Sequence, residues 1–220
     1  MKSVVCIIAH PDDEAFGPGG TIIKLAKRNN VYIICATKGE AGQPKGKRGG
    51  AAFGKIRAQE LLNSAKILGV KKVFFLGFQD GKLSNSIYHD LARKIERILK
   101  KIKPETIITY EPRGISGHID HITVSMVSSF AFQRLPFIKK IMYICVLDKY
   151  MKMNRDYFVY VPPGCTKAGI DLVVDVSSVW EQKLNALLAH ESQIQDVKQM
   201  LDMLQKLPKE EYFLVKRKSK

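Results

Sequence analysis

Short apolar runs alternate with amphipathic stretches through the first 134 residues of the chain. Val, Ile and Phe dominate four runs of strand length: KSVVCIIA (2–9), VYIICAT (31–37), KKVFFLGF (71–78) and ETIITY (105–110). Helical spacing of apolar residues marks the stretches that follow them: TIIKLAKRNN (21–30), AAFGKIRAQELLNSAKILGV (51–70), YHDLARKIERILKKIK (88–103) and IDHITVSMVSSFAF (119–132). This alternation predicts an α/β fold with an open, mostly parallel, Rossmann-like sheet and helices on both faces.

The pattern changes beyond Lys139, where strand-like runs follow one another without intervening helices. These runs are IMYICVL (141–147), YFVYV (157–161) and IDLVVDV (170–176), and we expect antiparallel strands at a sheet edge here. Two helical stretches follow, VWEQKLNALLAHES (179–192) and IQDVKQMLDMLQKL (194–207), before a last strand-like run, EEYFLVKRK (210–218). No linker or repeat divides the sequence, so we expect one domain over residues 1–220.

Charged clusters follow three of the predicted strands. They are HPDDE (10–14), TKGE (37–40) and YEPRGISGHIDH (110–121). Ligands of open α/β sheets bind beyond the carboxyl ends of the strands. We therefore expect these clusters to converge in space although they are far apart in sequence.

His10, Asp13 and His121 form a candidate metal-binding set within these clusters. Two imidazoles and one carboxylate suit a divalent metal that keeps an open position for water. A metal would also explain how Asp12, Asp13 and Glu14 tolerate one another, because adjacent carboxylates repel unless a positive charge lies among them. The same ligand types also occur in mononuclear Fe(II) oxygenases, which remain an alternative from the residues alone.

Composition restricts the remaining function classes. The net charge of +15 comes from basic runs on several separate helices and a tail, so we interpret it as solvated surface rather than as a nucleic-acid site, which stays an alternative. The four cysteines form no C-x-x-C pair and are expected to be buried thiols. No apolar run approaches the roughly 18–20 residues of a membrane span or resembles a signal peptide, so we expect a cytoplasmic protein.

The motifs together carry a family resemblance. AHPDDE and FGPGG are followed in order by TKGE, IRAQE, LGFQDG, SGHIDH and a late AHESQ. This series resembles the LmbE/PIG-L deacetylases over most of the chain. The resemblance implies a Rossmann-like, zinc-dependent enzyme that removes the N-acetyl group from N-acetylglucosamine-type sugars or glycoconjugates, with Zn²⁺ or another divalent metal as cofactor.

The resemblance also implies roles for individual residues. The zinc ligands would be His10, Asp13 and His121. Asp12 would be the general base for the zinc-bound water that attacks the amide carbonyl, and His118 would stabilise the oxyanion and pass a proton to the amine. The remaining positions would bind substrate: Arg57, Asp80 and Glu40. From the residues alone, Arg57 equally fits a surface pair with Glu60, and Asp80 fits a turn.

Several positions are left open by the resemblance. Glu14, Asp120 and His190 fit either a supporting role at the site or an ordinary structural role. Ser116 stands where some family members have a tyrosine that helps to polarise the carbonyl. The GISGH sequence is more similar to the PIG-L branch, which acts on a lipid-linked sugar. We expect no membrane anchor, and in this respect the chain is more similar to prokaryotic members of the family. The expected partner is a small N-acetylated sugar, and a homo-oligomer is an open expectation.

Overall fold

The computed structural model describes residues 1–42, 49–151, 159–194 and 207–218, together with residues 198, 201, 204 and 205. The described strands form one sheet: β1 (Lys2–Ile8), β2 (Asn29–Cys35), β3 (Lys72–Phe75), β4 (Thr106–Tyr110), β5 (Lys140–Cys145), β6 (Leu172–Asp175) and β7 (Glu210–Arg217). Their spatial order is β3-β2-β1-β4-β5-β7-β6. Strands β1 to β5 are parallel, whereas β7 runs antiparallel to β5 and β6. The predicted mostly parallel sheet with antiparallel strands towards one edge is confirmed.

The helices pack in two groups. One group contains α1 (Asp13–Phe16), α2 (Gly19–Ala26), α3 (Ala51–Ile67) and α7 (Trp180–Leu188), and the other contains α4 (Tyr88–Ile102), α5 (Gly114–Gly117) and α6 (Ile119–Arg134). Strand order runs outward from β1 in opposite directions, so right-handed crossovers place the two groups on opposite faces of the sheet. In α4, Leu91, Ile95 and Leu99 recur every four residues and are fully buried, which fixes the face that it turns to the sheet.

The strand order reverses between β1 and β4. Connections from β1 lead towards β2 and β3, whereas connections from β4 lead towards β5. Side chains that follow β1 and β4 therefore meet in the crevice that such a reversal leaves at the carboxyl edge. The HPDDE motif follows β1, and the YEPRGISGHIDH motif begins at the last residue of β4.

A carboxylate from β7 caps the N-terminus of α2. The N–H groups of Gly20 and Thr21 each donate to the Glu211 carboxylate at 2.8 Å. Lys183 of α7 binds the same carboxylate, with Nζ 2.6 Å from Oε1, and also donates to the Gly17 carbonyl at 3.1 Å. Lys183 and Glu211 are both buried, so the ion pair fixes the last strand against the glycine-rich turn before α2.

Some predicted element boundaries differ from the structure. The strand expected at 157–161 is absent over 159–161, while 157 and 158 lie outside the described residues. Pro162 and Pro163 follow immediately and cannot donate backbone hydrogen bonds, so this segment does not extend a sheet ladder. The predicted helix at 194–207 lies largely outside the described residues. Helix α7 ends at Leu188, before a 3₁₀ turn over Glu191–Gln193.

Other expectations concern the whole chain. The four cysteines are buried and form no disulfide: Cys6, Cys35, Cys145 and Cys165. Within the described part of the chain, no helix combines the length and the apolar character needed to cross a membrane. The assignment of residues 1–220 to a single domain stays a prediction.

Candidate active site

His10 and Asp13 lie side by side just beyond the carboxyl end of β1. Asp13 begins α1, and its Oδ2 accepts a hydrogen bond from the backbone N–H of His10 at 2.8 Å. Nδ1 of the His10 ring lies 3.5 Å from the same oxygen. The tight turn between strand and helix therefore presents an imidazole and a carboxylate together at the point where the strand order reverses.

His121 reaches the same point from the first turn of α6. Its Nδ1 lies 3.2 Å from the carbonyl oxygen of Gly114, so this nitrogen donates its proton there. The other ring nitrogen, Nε2, then carries a lone pair. It lies 3.2 Å from Nδ1 of His10 and 3.4 Å from Oδ1 of Asp13.

His10, Asp13 and His121 offer the chemistry of a metal site. Nε2 of His10 lies 3.0 Å from Oδ1 of Asp80 and 3.2 Å from Oδ2 of Asp120, so a neutral His10 ring would keep its proton on Nε2 and offer a lone pair at Nδ1. Two imidazole lone pairs and the Asp13 carboxylate would then face one another, and these electron-rich groups repel one another unless a cation lies among them. The three ligand atoms lie within 4.8 Å of one another. Two nitrogens and one carboxylate oxygen fit Zn²⁺ with an open position.

His10, His118 and Asp120 form a second group whose ligand atoms lie within 4.8 Å of one another. The carboxylate of Asp120, however, accepts backbone hydrogen bonds from Gly81 at 2.8 Å and Leu83 at 3.1 Å. Nδ1 of His118 accepts the N–H of Asp120 at 3.1 Å. Through these bonds, Asp120 orients the His10 ring and the loop at Gly81. The group of His10, Asp13 and His121 therefore fits a metal better.

Burial and neighbouring charges set the protonation of the cluster. Burial lowers the pKa of His121 to about 4. Burial also acts to lower the pKa of His10, but hydrogen bonds to Asp120, Asp13 and Asp80 outweigh it and raise that pKa well above its usual value. Burial disfavours ionised Asp13, yet the charges of His121 and His10 hold its pKa well below the usual range. A neutral His121 and an ionised Asp13 are the forms that bind a metal, whereas a charged His10 would have to release its Nδ1 proton when a metal binds.

Asp12 has a backbone conformation that non-glycine residues rarely adopt, with φ at 105°. Arg57 of α3 holds this turn: its Nη2 lies 2.9 Å from Oδ2 of Asp12 and 2.6 Å from the Pro11 carbonyl. Nη1 donates to the Gly39 carbonyl at 2.9 Å. Burial raises the pKa of Asp12 to about 6, although the charge of Arg57 opposes that rise. Arg57 itself is only 5% exposed, and its predicted contact with substrate stays a prediction.

Glu40 and Asp80 join two loops beside the candidate metal-binding set. Oε1 of Glu40 accepts the N–H of Asp80 at 3.1 Å, and Oδ2 of Asp80 accepts the N–H of Ala41 at 3.0 Å. An open hollow adjoins them, and its lining includes Glu40, Ala41, Gly49, Gly50, Gln79 and Asp80.

Tyr110, the last residue of β4, is a site residue that sequence reasoning missed. Its hydroxyl accepts the N–H of Ala9 at 2.7 Å and donates to Oδ2 of Asp13. Its ring stacks on His121, with centroids 4.1 Å apart and planes inclined by 3°. The available signal was its position at the carboxyl end of a central strand, where side chains face the crevice.

Glu14 and His190 meet beneath Asp12. Both are fully buried, and Nε2 of His190 lies 2.7 Å from Oε1 of Glu14. His190 belongs to the late AHESQ motif, 176 residues away in sequence. Ser116 is also buried, and its Oγ lies 3.5 Å from the Gly114 carbonyl.

Known proteins share this sequence pattern. The chain is 32% identical over 198 residues to diacetylchitobiose deacetylase of Thermococcus kodakarensis, a match that covers 88% of this chain and 70% of that protein. It is also 32% identical over 198 residues to a probable N-acetyl-alpha-D-glucosaminyl L-malate deacetylase 2 of Bacillus cereus, covering 87% of this chain and 84% of the relative.

A solved structure shares the fold. The structure of N,N'-diacetylchitobiose deacetylase from Pyrococcus horikoshii matches 98% of this chain and 84% of that chain, with a TM-score of 0.78 and 24% sequence identity. At this identity the likeness speaks for the fold alone. The model of the family described as PIG-L, GlcNAc-PI de-N-acetylase, matches residues 5–132, which include the HPDDE and SGHIDH motifs. The chain therefore belongs to the PIG-L family.

Proposed function

We propose that this chain is a divalent-metal-dependent hydrolase, with zinc as the metal, that removes the N-acetyl group from an N-acetylglucosamine-type sugar or glycoconjugate. The observation that carries the proposal is the convergence of His10, Asp13 and His121 beside Asp12 at the carboxyl edge of the sheet. The matching family and the names of both relatives describe removal of an N-acetyl group or deacetylation, which supports the same reaction class.

The metal would be held by Nδ1 of His10, Nε2 of His121 and the carboxylate of Asp13. When bound, zinc lowers the pKa of a coordinated water and polarises a carbonyl oxygen. The chain's own part is to aim these ligands. Asp120 and Asp80 hold the proton of His10 away from the cluster, Gly114 does the same for His121, and Tyr110 donates to Asp13.

Asp12 would act as the general base. Its carboxylate is fixed by Arg57 rather than free to rotate, which keeps a proton acceptor next to the metal ligand Asp13. With a pKa of about 6, Asp12 is largely ionised at neutral pH and is still basic enough to accept a proton.

His118 would donate a hydrogen bond to the carbonyl oxygen as that oxygen becomes negative. Its ring lies 4.9 Å, centroid to centroid, from those of both His10 and His121. Burial and the charge of His10 lower the pKa of His118, which favours the neutral ring. Because Nδ1 accepts the N–H of Asp120, the proton of that neutral ring lies on Nε2, which makes Nε2 a donor. A neutral ring has no second proton to give up, so the proton that Asp12 takes from the water would pass from Asp12 to the departing amine, in place of the transfer from His118 that the resemblance implies.

Asp80 and Glu40 would hold sugar hydroxyls at the hollow that they line. Both carboxylates also bind backbone N–H groups, so they are oriented before substrate arrives. For Arg57, the hydrogen bonds to Asp12 and Pro11 favour a role in positioning the base, and any contact with substrate would add to that role.

The two alternatives from the sequence have no support. The sheet is doubly wound rather than the antiparallel barrel usual for Fe(II) oxygenases, and both relatives are deacetylases by name rather than nucleic-acid-binding proteins. The cytoplasmic location and a homo-oligomeric state stay predictions.

Acetate release from a panel of N-acetylglucosaminides tests the proposal. The panel should include N-acetylglucosamine, diacetylchitobiose and N-acetylglucosaminyl malate. We expect acetate from at least one of them, loss of that activity with a chelator, and recovery when Zn²⁺ is restored. Failure of the metal-loaded protein to release acetate from every member would refute the proposed substrate class.

A further inference from the structure

Asp12 needs support from its surroundings. A φ of 105° outside glycine is strained and persists only where neighbouring groups impose it. Arg57 holds the side chain of Asp12 and the preceding carbonyl. The backbone N–H of Asp12 donates to Oε2 of Glu14 at 3.0 Å, so Glu14 holds the other side of the turn.

Glu14 is a fully buried carboxylate with three hydrogen-bond donors. In addition to the Asp12 N–H, Oε1 accepts from the hydroxyl of Ser64 at 2.6 Å and faces Nε2 of His190 at 2.7 Å. A buried carboxylate depends on its donors, because each one that is lost leaves charge without compensation. His190 is therefore part of what keeps Glu14 in place beneath Asp12.

The segment that carries His190 is itself anchored. Ser192 donates to Glu60 twice, from its backbone N–H at 2.7 Å and from its hydroxyl at 2.6 Å. Glu60 lies in α3 and is buried. The contact attaches the AHESQ motif to a helix that is already fixed against the sheet.

One face of α3 serves this whole arrangement. Arg57, Glu60 and Ser64 are three and then four residues apart, which places them on one side of a helix. All three are buried, and they bind Asp12, Ser192 and Glu14 respectively. The helix thus fixes Asp12 directly through Arg57, and fixes Glu14 and the His190 segment from the same face.

We propose that His190 is a positioning residue for Asp12, acting through Glu14. The proposal rests on the proposed function, in which Asp12 is the base. With no donor at position 190, Oε1 of Glu14 loses a partner, Glu14 turns to recover hydrogen bonds, and the Asp12 N–H loses its acceptor. Asp12 then relaxes from its strained conformation, and its carboxylate leaves the orientation that proton transfer needs.

Kinetics of three variants test the role of His190. We expect His190→Ala to lower kcat by about 10–100-fold, the usual effect of removing a group that orients a site residue. KM and metal content should stay close to the wild type, because no substrate or metal contact is removed. His190→Gln keeps an N–H donor and should recover part of kcat. His89→Ala, which alters an exposed histidine in α4, is the matched control and should leave kcat unchanged.

A second pair of measurements separates positioning from general damage. In an Asp12→Asn background, His190→Ala should cost little further activity, because its effect passes through Asp12. The backbone amide signal of Asp12 in ¹H–¹⁵N spectra should shift in His190→Ala and return towards the wild-type position in His190→Gln.

Two results would overturn the proposal. One is an Asp12 amide signal that does not move in either His190 variant, and the other is a rise in KM or a loss of metal that accounts for the lost activity. If His190→Ala does not fold, His190→Gln and Glu14→Gln provide the same amide comparison. Absence of acetate release by the wild type would refute the proposed function. The amide signal of Asp12 would still show whether the contact of His190 with Glu14 positions Asp12.

Discussion

In their neutral forms, His10 and His121 would turn their lone pairs towards each other, because each ring gives its proton to a different acceptor. Asp120 and Asp80 take the proton of His10, and the Gly114 carbonyl takes that of His121. The ring nitrogens that remain are 3.2 Å apart. At the scale of single residues, the candidate metal site therefore depends on which nitrogen of each ring carries the proton as well as on which residues are present.

Removal of either histidine should release the metal. We expect His10→Ala and His121→Ala to retain little of the roughly one divalent ion per chain that a three-ligand site binds. Elemental analysis after gel filtration measures this directly, with His89→Ala as the control that keeps its metal. Full metal retention in both site variants would show that the ligands lie elsewhere.

Asp12→Asn should keep the metal and lose the reaction. The amide preserves shape but cannot accept a proton, so we expect kcat to fall by roughly 100-fold or more. The wild-type rate should also fall at acid pH, because Asp12, whose pKa burial raises, then becomes protonated. A pH series of kcat with metal content measured alongside checks both points. A variant that turns over at the wild-type rate would exclude Asp12 as the base.

Tyr110→Phe should weaken the metal site without removing a ligand. The variant loses the hydrogen bond to Asp13 and leaves the Ala9 N–H without its acceptor, while the ring can still stack on His121. We expect metal affinity to fall by about 10-fold or more, as for other groups that orient a metal ligand. Titration with a competing chelator measures the change, and an unaltered affinity would limit Tyr110 to packing.

The sequence predicted which residues cluster but not how they support one another. His10, Asp13 and His121 could be grouped because strand ends mark the crevice. The contact of Tyr110 with Asp13 joins residues 97 apart, and that of His190 with Glu14 joins residues 176 apart. Such contacts depend on how helices pack on the sheet, which no local pattern encodes.

At the scale of secondary-structure elements, the short turn of α5 is strained beside the candidate metal-binding set. Ile115 has φ at 64°, unusual for a β-branched residue, and Gly114 and Gly117 also have positive φ. Glu111 accepts the N–H of Ile115 at 2.9 Å and so holds this conformation. The strain aims the Gly114 carbonyl at His121, which gives the turn a function.

Gly117→Ala should destabilise the protein more than a positive φ alone explains. A Cβ at this position would lie 2.3 Å from the Tyr160 carbonyl oxygen. Gly77 has a similar φ of 73° but open space around it, so Gly77→Ala isolates the backbone cost of about 1–2 kcal/mol. We expect Gly117→Ala to lower the free energy of unfolding by about 1–3 kcal/mol more. Denaturant unfolding of both variants measures the difference, and equal losses would contradict a close contact with Tyr160.

Most helices and strands could be predicted because their periodicity is local. Helix α4 begins at the predicted residue and ends one residue earlier than predicted, since its apolar positions repeat every four residues. The strand expected at 157–161 failed over its described residues because periodicity ignores the two prolines that follow. The antiparallel direction of β7 could not be assigned to that strand, since direction depends on the path of the preceding chain.

At the scale of the whole molecule, several basic residues lie at the sheet edge opposite the candidate site. Basic residues lie at or next to the strand ends of that edge: Lys2, Lys71, Lys72, Lys103, Lys139, Lys140, Arg217 and Lys218. The seven residues of β1 separate the two edges by about 20 Å. Part of the excess positive charge therefore lies at the edge away from the proposed substrate site.

Crowding of these charges should make stability depend on salt and pH. Burial, then Arg217 and Lys2, lower the pKa of Lys140, so the folded state releases this proton more readily than the unfolded state. Stability should therefore rise as pH increases from the lowered pKa towards the usual value near 10.5. Lys140→Gln should raise Tm by about 1–2 °C at low salt and less in about 1 M salt. Thermal unfolding with the exposed Lys55→Gln as control checks this, and a gain independent of salt would exclude charge repulsion.

The carboxylate of Glu211 at the N-terminus of α2 has a consequence for what this helix end can bind. In dinucleotide-binding members of this architecture, the amides that open the helix between the first two strands receive a pyrophosphate. Here Gly20 and Thr21 already bind an anion that the chain supplies from its own last strand, and Lys183 neutralises it. The amides at the start of α2 are therefore satisfied from within the chain, and a pyrophosphate could bind there only by displacing Glu211 from Lys183.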